Sequence, residues 1–334
     1  MLAKEETFRY NGFIPLRIEV FRMKKRTKKI LAAVLLIAVI GTIGFIALRP
    51  KLSPYITRIT FGISDTIRDR GLKSPEDVER VDDLRYGEDK MQVLDIYYPK
   101  GTSQALPTIV SIHGGGYTYG DKERYQYYCM NLAQRGFTVV NFSYRLAPEV
   151  KYPAQLNDTN AAVTYICDHA DEYYIDTNNI FIVGDSAGAQ LNSQYSAAVT
   201  NPEYAALLNL QLPDFTLRAI ALNCGGYDMK ERSESMSYYL DGDYAQYAEE
   251  LDVLGHITAN FPPSFVMSST GDMALPNAQP MSEFLTEKGV ENELHIYGDG
   301  KTKPPHVFHC DIRSEYATIC NDEECAFFRR YMAQ

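Results

Sequence analysis

The chain has 334 residues, enough to bury a full core, and its 45% hydrophobic share is that of a globular protein. Charge is unevenly spread: residues 1–29 carry a net +6, residues 30–48 carry none, and residues 49–334 carry −16 within a formal total of −10. An acidic body of this kind repels phosphate backbones and excludes nucleic acid as a partner.

The N-terminus reads as a basic segment, 1–29, followed by an apolar one, 30–48. The second is 19 uncharged residues, roughly 28 Å as a helix, which matches a bilayer core. Lys24-Lys25-Arg26-Thr27-Lys28-Lys29 precedes it, so the positive-inside rule predicts a single-pass anchor with a cytoplasmic N-terminus and the rest of the chain outside the cytoplasm. A cleaved signal peptide is the competing reading, but Phe45-Ile46-Ala47 does not supply the small-residue cleavage pattern. Met23 stands directly before the basic run, so translation beginning there and translation from Met1 both remain open.

Residues 49–80, with Pro50, Pro54 and Pro75, read as a connector holding at most a short helix around Tyr55 to Arg70. A domain over 81–334 follows. Val81 to Tyr86 and Met91 to Tyr98 are expected to form an antiparallel pair around the turn Gly87 to Lys90. Strands are then predicted at Thr108 to Ile112, Thr138 to Phe142, Ile180 to Val183, Ala219 to Asn223, Ser264 to Ser268 and Glu293 to Tyr297. Helices are predicted at Tyr125 to Gln134, Leu156 to His169, Ala187 to Val199 and Ala278 to Lys288. The alternation predicts an α/β fold, a mostly parallel central sheet with helices on both faces and a ligand site at the carboxyl ends of the strands. Residues 229–260, long and rich in Tyr and acid, read as a cap insertion.

The six cysteines make no Cys-x-x-Cys pair and no zinc-ligand spacing. Cys310, Cys320 and Cys325 could form one disulfide in an oxidising compartment, and buried free thiols are the simpler reading for most of the six.

The chemistry concentrates at Gly184-Asp185-Ser186-Ala187-Gly188, a Gly-x-Ser-x-Gly string between a β-branched run and an alanine-rich segment. That layout puts a serine on a cramped strand-to-helix turn, where it is a candidate nucleophile. About 70 residues earlier, a strand runs into His113-Gly114-Gly115-Gly116, whose unobstructed amides suit the oxyanion of an acyl-transfer intermediate. After the strand ending at Ser268 comes Asp272, and after the last strand come His306 and His309. With the order Ser, acid, His, Asp272 is the candidate orienting acid and His306 the candidate base. Asp228 is the competing acid, although its strand comes one too early and it is better placed to cap the start of the insertion.

Together with Tyr144-Arg145-Leu146-Ala147-Pro148-Glu149, Tyr152-Pro153-Ala154 and Asp158, these motifs resemble the hormone-sensitive-lipase-like branch of the α/β-hydrolases, over about residues 80–330. The resemblance implies a carboxylesterase or acetyl esterase. It implies Ser186 as nucleophile, the amides of Gly115, Gly116 and Ala187 as oxyanion hole, and His113 and Asp185 in supporting roles. It also implies ion pairing by Arg145 and Glu149 beneath the site. His306-Val307-Phe308 fits the family's His-x-Phe and favours His306 over His309. Asp272-Met273-Ala274-Leu275 departs from the usual Asp-Pro-Leu. The expected function is a Ser-His-Asp ester hydrolase acting on short acyl esters through an acyl-enzyme, with no metal or organic cofactor and a small-molecule ester as partner. A peptidase or amidase on the same fold and a non-catalytic binding module are the alternatives. Tyr117, Tyr119, Tyr125, Tyr127 and Tyr128 are candidates for the pocket wall.

Overall fold

The computed structural model describes Val34, residues 52–232 and residues 237–333. The chain divides into two units, Met1–Leu52 and Ser53–Gln334, and the second carries the fold. The expected basic segment 1–29 and anchor 30–48 lie outside the described residues. Among the described residues no helix is long and apolar enough to cross a membrane.

Eight strands form one sheet: β1 (Val78–Arg85), β2 (Val93–Pro99), β3 (Leu106–Ile112), β4 (Thr138–Phe142), β5 (Ile175–Asp185), β6 (Leu217–Asn223), β7 (Ser264–Ser269) and β8 (Asn292–Tyr297). Their spatial order is β1-β2-β4-β3-β5-β6-β7-β8. β1 pairs antiparallel with β2 and β2 antiparallel with β4, and every later pairing is parallel. This is the mostly parallel sheet that the alternation of elements predicts, with the antiparallel pair at one edge. The central strands read as continuous apolar runs because both of their faces are covered.

Alternate residues feed two separate cores. Ile96, Val110, Val140, Ile182, Leu222 and Val266 point to one, while Tyr97, Ile109, Val139, Phe181, Ala221 and Phe265 point to the other. The first is closed by α3 (Ala154–Asp168), α4 (Ala187–Thr200), α5 (Pro202–Leu207) and α8 (Leu275–Glu287). The second is closed by α2 (Lys122–Ala133) and α9 (Glu315–Arg330).

The connector and the C-terminus each contribute a helix to the domain. The helix expected around Tyr55 to Arg70 is present as α1, described over residues 52–69, and it is bound into the domain. Arg58 fastens the helix: its Nε donates to the Thr118 carbonyl at 2.7 Å, and its guanidinium pairs with Glu149 at 2.6 Å and donates to the Ala147 carbonyl at 2.9 Å. α9 follows the last predicted strand and has no counterpart among the predicted helices. It buries Ala317, Cys320, Asn321, Glu324, Cys325 and Phe328, a helical face that includes two polar side chains.

The insertion between β6 and β7 contains α6 (Met229–Arg232) and α7 (Val253–His256). Tyr239 stacks on Tyr117 with ring centroids 4.0 Å apart, and Lys151 Nζ donates to the Tyr238 carbonyl at 2.8 Å, so the insertion packs against the loops after β3 and β4. All six cysteines are free: the disulfide considered for the C-terminal trio is not formed, and only Cys167 is partly exposed.

Candidate active site

β5 delivers Ser186 to the carboxyl edge of the sheet. Its backbone sits at φ 53°, ψ −113°, a left-handed conformation uncommon for a residue with a side chain. The turn is held because the Ser186 amide donates to the Asn223 carbonyl at 2.9 Å. It also needs both glycines. A Cβ on Gly184 would meet the Gly188 carbonyl, and one on Gly188 would meet the Ile112 carbonyl. Asn223 is held from behind, its Nδ2 donating to Glu324 on α9 at 2.7 Å.

β7 ends in a tight turn, with the Asp272 amide donating to the Ser269 carbonyl at 3.1 Å. An isolated parallel bridge pairs Gly271 with Pro305, which sets their chain neighbours Asp272 and His306 side by side. His306 Nδ1–H donates to Asp272 Oδ1 at 2.6 Å. The same carboxylate accepts from the Ala274 amide at 2.8 Å and from Ser268 Oγ at 2.7 Å. Burial pushes the Asp272 carboxyl up, but the His306 hydrogen bond and charge, with the Ala274 amide, outweigh it and hold the group down at about 2. With Nδ1–H committed to the carboxylate, the His306 lone pair is on Nε2. Val307, the next residue, has φ 60°, costly for a β-branched side chain, and this turn aims the imidazole. Among the described residues no hydrogen bond joins Ser186 Oγ to His306, although both line one cavity. Such contacts are often long before substrate arrives.

The competing candidates are elsewhere. His309 is buried edge-on against Tyr128 with centroids 5.0 Å apart, and burial pushes its imidazole down to about 3. Asp228 is exposed and accepts from the Lys230 amide at 2.8 Å, at the start of the insertion.

The glycine loop stands beside the serine. Gly115 and Gly116 have φ of +102° and +61°, and a Cβ on Gly115 would strike the Tyr119 carbonyl. Among the described residues the amides of Gly115, Gly116 and Ala187 have no acceptor, so they are available to an anion. His113 lies beneath the loop. Its Nδ1–H donates to the Gly114 carbonyl at 2.8 Å, and its ring stacks on Tyr144 with centroids 4.0 Å apart. Burial pushes it down to about 4, so it is a neutral prop. Asp185 accepts from Tyr125 OH at 2.9 Å, and that hydroxyl accepts from the Gly114 amide at 3.0 Å, which ties the elbow to the loop. Burial lifts the Asp185 carboxyl to about 7 against the Tyr125 hydrogen bond.

Cys224 Sγ lies with Asp272 and His306 in a group whose ligand atoms are all within 4.8 Å of one another. Burial and the Asp272 charge raise its thiol well above the ordinary value, so it is protonated beside the carboxylate. Arg145 and Glu149 pair as expected, but with separate partners: Arg145 with Asp158 at 2.6 Å and Glu149 with Arg58.

Ser186, His306, Gly115 and Asp185 share a cavity of about 470 Å³. Tyr119 and Tyr125 line it, whereas Tyr117 and Tyr128 are core and Tyr127 packs against the second core. α1 supplies Phe61, Ser64, Asp65, Ile67 and Arg68 to one wall. Sequence reasoning misses those residues. The local pattern points the other way, because the apolar positions Ile56, Ile59 and Ile63 are on the exposed face while the cavity side carries Asp65 and Arg68 beside Phe61.

A serine on a strained strand-to-helix turn, a carboxylate-oriented imidazole and free glycine-loop amides around one cavity define the class: a serine ester hydrolase of α/β-hydrolase fold. The chain belongs to the BD-FAE family, whose model matches residues 94–288. It is 39% identical over 255 residues to an acetyl esterase of Salmonella choleraesuis, covering 72% of this chain and 75% of that one. It is 27% identical over 286 residues to the carboxylesterase NlhH of Mycobacterium tuberculosis, covering 74% and 86%. Among solved structures, esterase B of Lactobacillus rhamnosis superposes with a TM-score of 0.78 at 23% identity over 85% of this chain and 95% of that one, and it has also been solved inhibited by a C4-C4 tributyrin phosphonate.

Proposed function

We propose that Ser186 is the nucleophile, His306 the general base and Asp272 the group that orients it, in a membrane-anchored esterase of short acyl esters. The observation that carries this is the 2.6 Å Asp272–His306 pair opening on the cavity that contains Ser186. Neutral His306 takes the serine proton at Nε2 as Oγ attacks the ester carbonyl. Asp272 stabilises the imidazolium, and the amides of Gly115, Gly116 and Ala187 bind the oxyanion. The alcohol leaves with the proton from His306, and water repeats the sequence to free the acid. No step calls on a metal or an organic cofactor. A cavity of about 470 Å³ with Tyr119, Asp65 and Arg68 in its wall suits a short acyl group on a polar alcohol, as does the acetyl esterase relative.

Anchoring is through residues 30–48, with residues 1–29 cytoplasmic and residues 49–334 on the far side. The uncharged segment and the preceding Lys24 to Lys29 cluster support this. Protease added to intact cells should cleave the domain, and protection of the domain while an external marker is cut would reverse the orientation.

The chemical test uses the full chain on p-nitrophenyl acetate, butyrate and a longer ester. Ser186→Ala and His306→Ala should each lose a factor on the order of 10⁴–10⁶, with acetate or butyrate preferred by the wild type. Equal rates for wild type and Ser186→Ala would refute the mechanism. Loss in His309→Ala with activity kept in His306→Ala would exchange the base.

A further inference from the structure

α1 is amphipathic in an unusual sense, because it has work on both faces. The inner face is held by Arg58 and lines the catalytic cavity. The outer face carries Tyr55, Ile56, Ile59, Ile63 and Ile67, of which Ile59, Ile63 and Ile67 are 65%, 58% and 59% exposed. These positions recur at three- and four-residue spacing, so the side chains form one continuous apolar row. Single exposed apolar residues are ordinary, but a row of five marks a surface with a partner. Arg58, Asp65, Arg68 and Asp69 prevent the helix from crossing a bilayer, and a helix with one apolar and one charged face lies in the interface instead.

The sequence just upstream says what that partner is. The uncharged, bilayer-length segment 30–48 ends three residues before Leu52, the first described residue of α1, and Arg49-Pro50-Lys51 spans at most about 10 Å of chain. Whatever bilayer receives that segment is within reach of the first turns of α1, and Arg49 and Lys51 suit anionic headgroups.

We infer that α1 is an interfacial helix, docked on the membrane surface through Tyr55, Ile56, Ile59, Ile63 and Ile67 while its opposite face walls the catalytic cavity. Ile67 belongs to both the row and the cavity lining, so the rim of the site is at the lipid surface. The inference rests on the anchor reading above and adds to it a second, non-spanning contact that sets the orientation of the domain.

The chain contains no tryptophan, so Ile59→Trp and Ile63→Trp each introduce one fluorophore on the row. Neither position lines the cavity, and both variants should turn over p-nitrophenyl acetate within about twofold of wild type. The full-length variants are reconstituted in phosphatidylcholine–phosphatidylglycerol vesicles with and without acyl-chain-brominated lipid, with Leu294→Trp on β8 as a control. The expected result is co-flotation, at least twofold quenching of the indole in Ile59→Trp and in Ile63→Trp by brominated lipid, and protection of both from aqueous iodide, with the opposite pattern for Leu294→Trp. Co-flotation with the Ile59→Trp indole unquenched by brominated lipid and open to iodide overturns the inference and leaves the anchor standing. Shielding from both quenchers overturns it in favour of a second copy or the N-terminal segment covering the row. A chain that does not float refutes the anchor and the docking together.

Discussion

Asp272 and His306 meet because Gly271 bridges Pro305, and the carboxylate then accepts from His306 Nδ1–H, the Ala274 amide and Ser268 Oγ. Replacing Asp272 with Asn keeps the shape of the side chain but allows its NH₂ to face Nδ1. That stabilises the other tautomer and leaves the lone pair on the wrong nitrogen. Asp272→Asn should therefore lower kcat by about 10³–10⁴ with KM changed much less, measured on p-nitrophenyl acetate. A fall confined to KM would assign Asp272 to substrate binding. Ser186, Asp272 and a pair of candidate bases, His306 and His309, are legible as candidates from order and spacing. The choice between His306 and His309 is legible only through the family resemblance, because spacing alone does not say which imidazole reaches a carboxylate.

Elements show how a substitution favourable in one context becomes costly in another. In an ordinary helix Gly→Ala gains about 1 kcal/mol. Gly188 is in the first turn of α4, and its missing Cβ is the space through which the Ile112 carbonyl of β3 approaches. A backbone carbonyl cannot rotate away, so α4 must shift, at a cost of about 1–3 kcal/mol that exceeds the propensity gain. Gly188→Ala should lower the denaturant midpoint and remove most of the esterase activity, and unchanged values of both would show that the elbow is more pliant than its packing implies. Strand positions are readable because Ile180 to Val183 and the other apolar runs are buried on both faces. α9 is not, since Asn321 and Glu324 on its buried face find their partners, His309 and Asn223, outside the helix, and the second of these is 101 positions away. The docking of α1 is not legible for a related reason: Arg58, which fastens it, pairs with Glu149, and no local pattern announces a contact 91 positions distant.

For the molecule as a whole, the buried carboxyls set the dependence of stability on pH. Burial lifts Glu324 to about 7 despite hydrogen bonds from Asn223 and Tyr128. A group with a raised folded pKa contributes stability that is complete below its unfolded value, near 4.3, and is lost as pH rises through about 7. Glu324→Gln removes that charge and keeps a carbonyl acceptor. It should raise Tm relative to wild type at pH 8 and have little effect at pH 5, as read in paired thermal melts, and equal effects at both pH values would mean that Glu324 does not titrate between them. The cavity has a consequence at the same scale. Its wall runs from Phe61 to Arg313 and includes His306, so nearly the entire domain must close before a substrate meets a finished site. Contacts of such sequence separation form late, since their loop entropy is lost before any packing is gained. Recovery of ester turnover after dilution from denaturant is therefore a clock for the longest-range closure in the chain, and it runs behind any probe of the sheet alone.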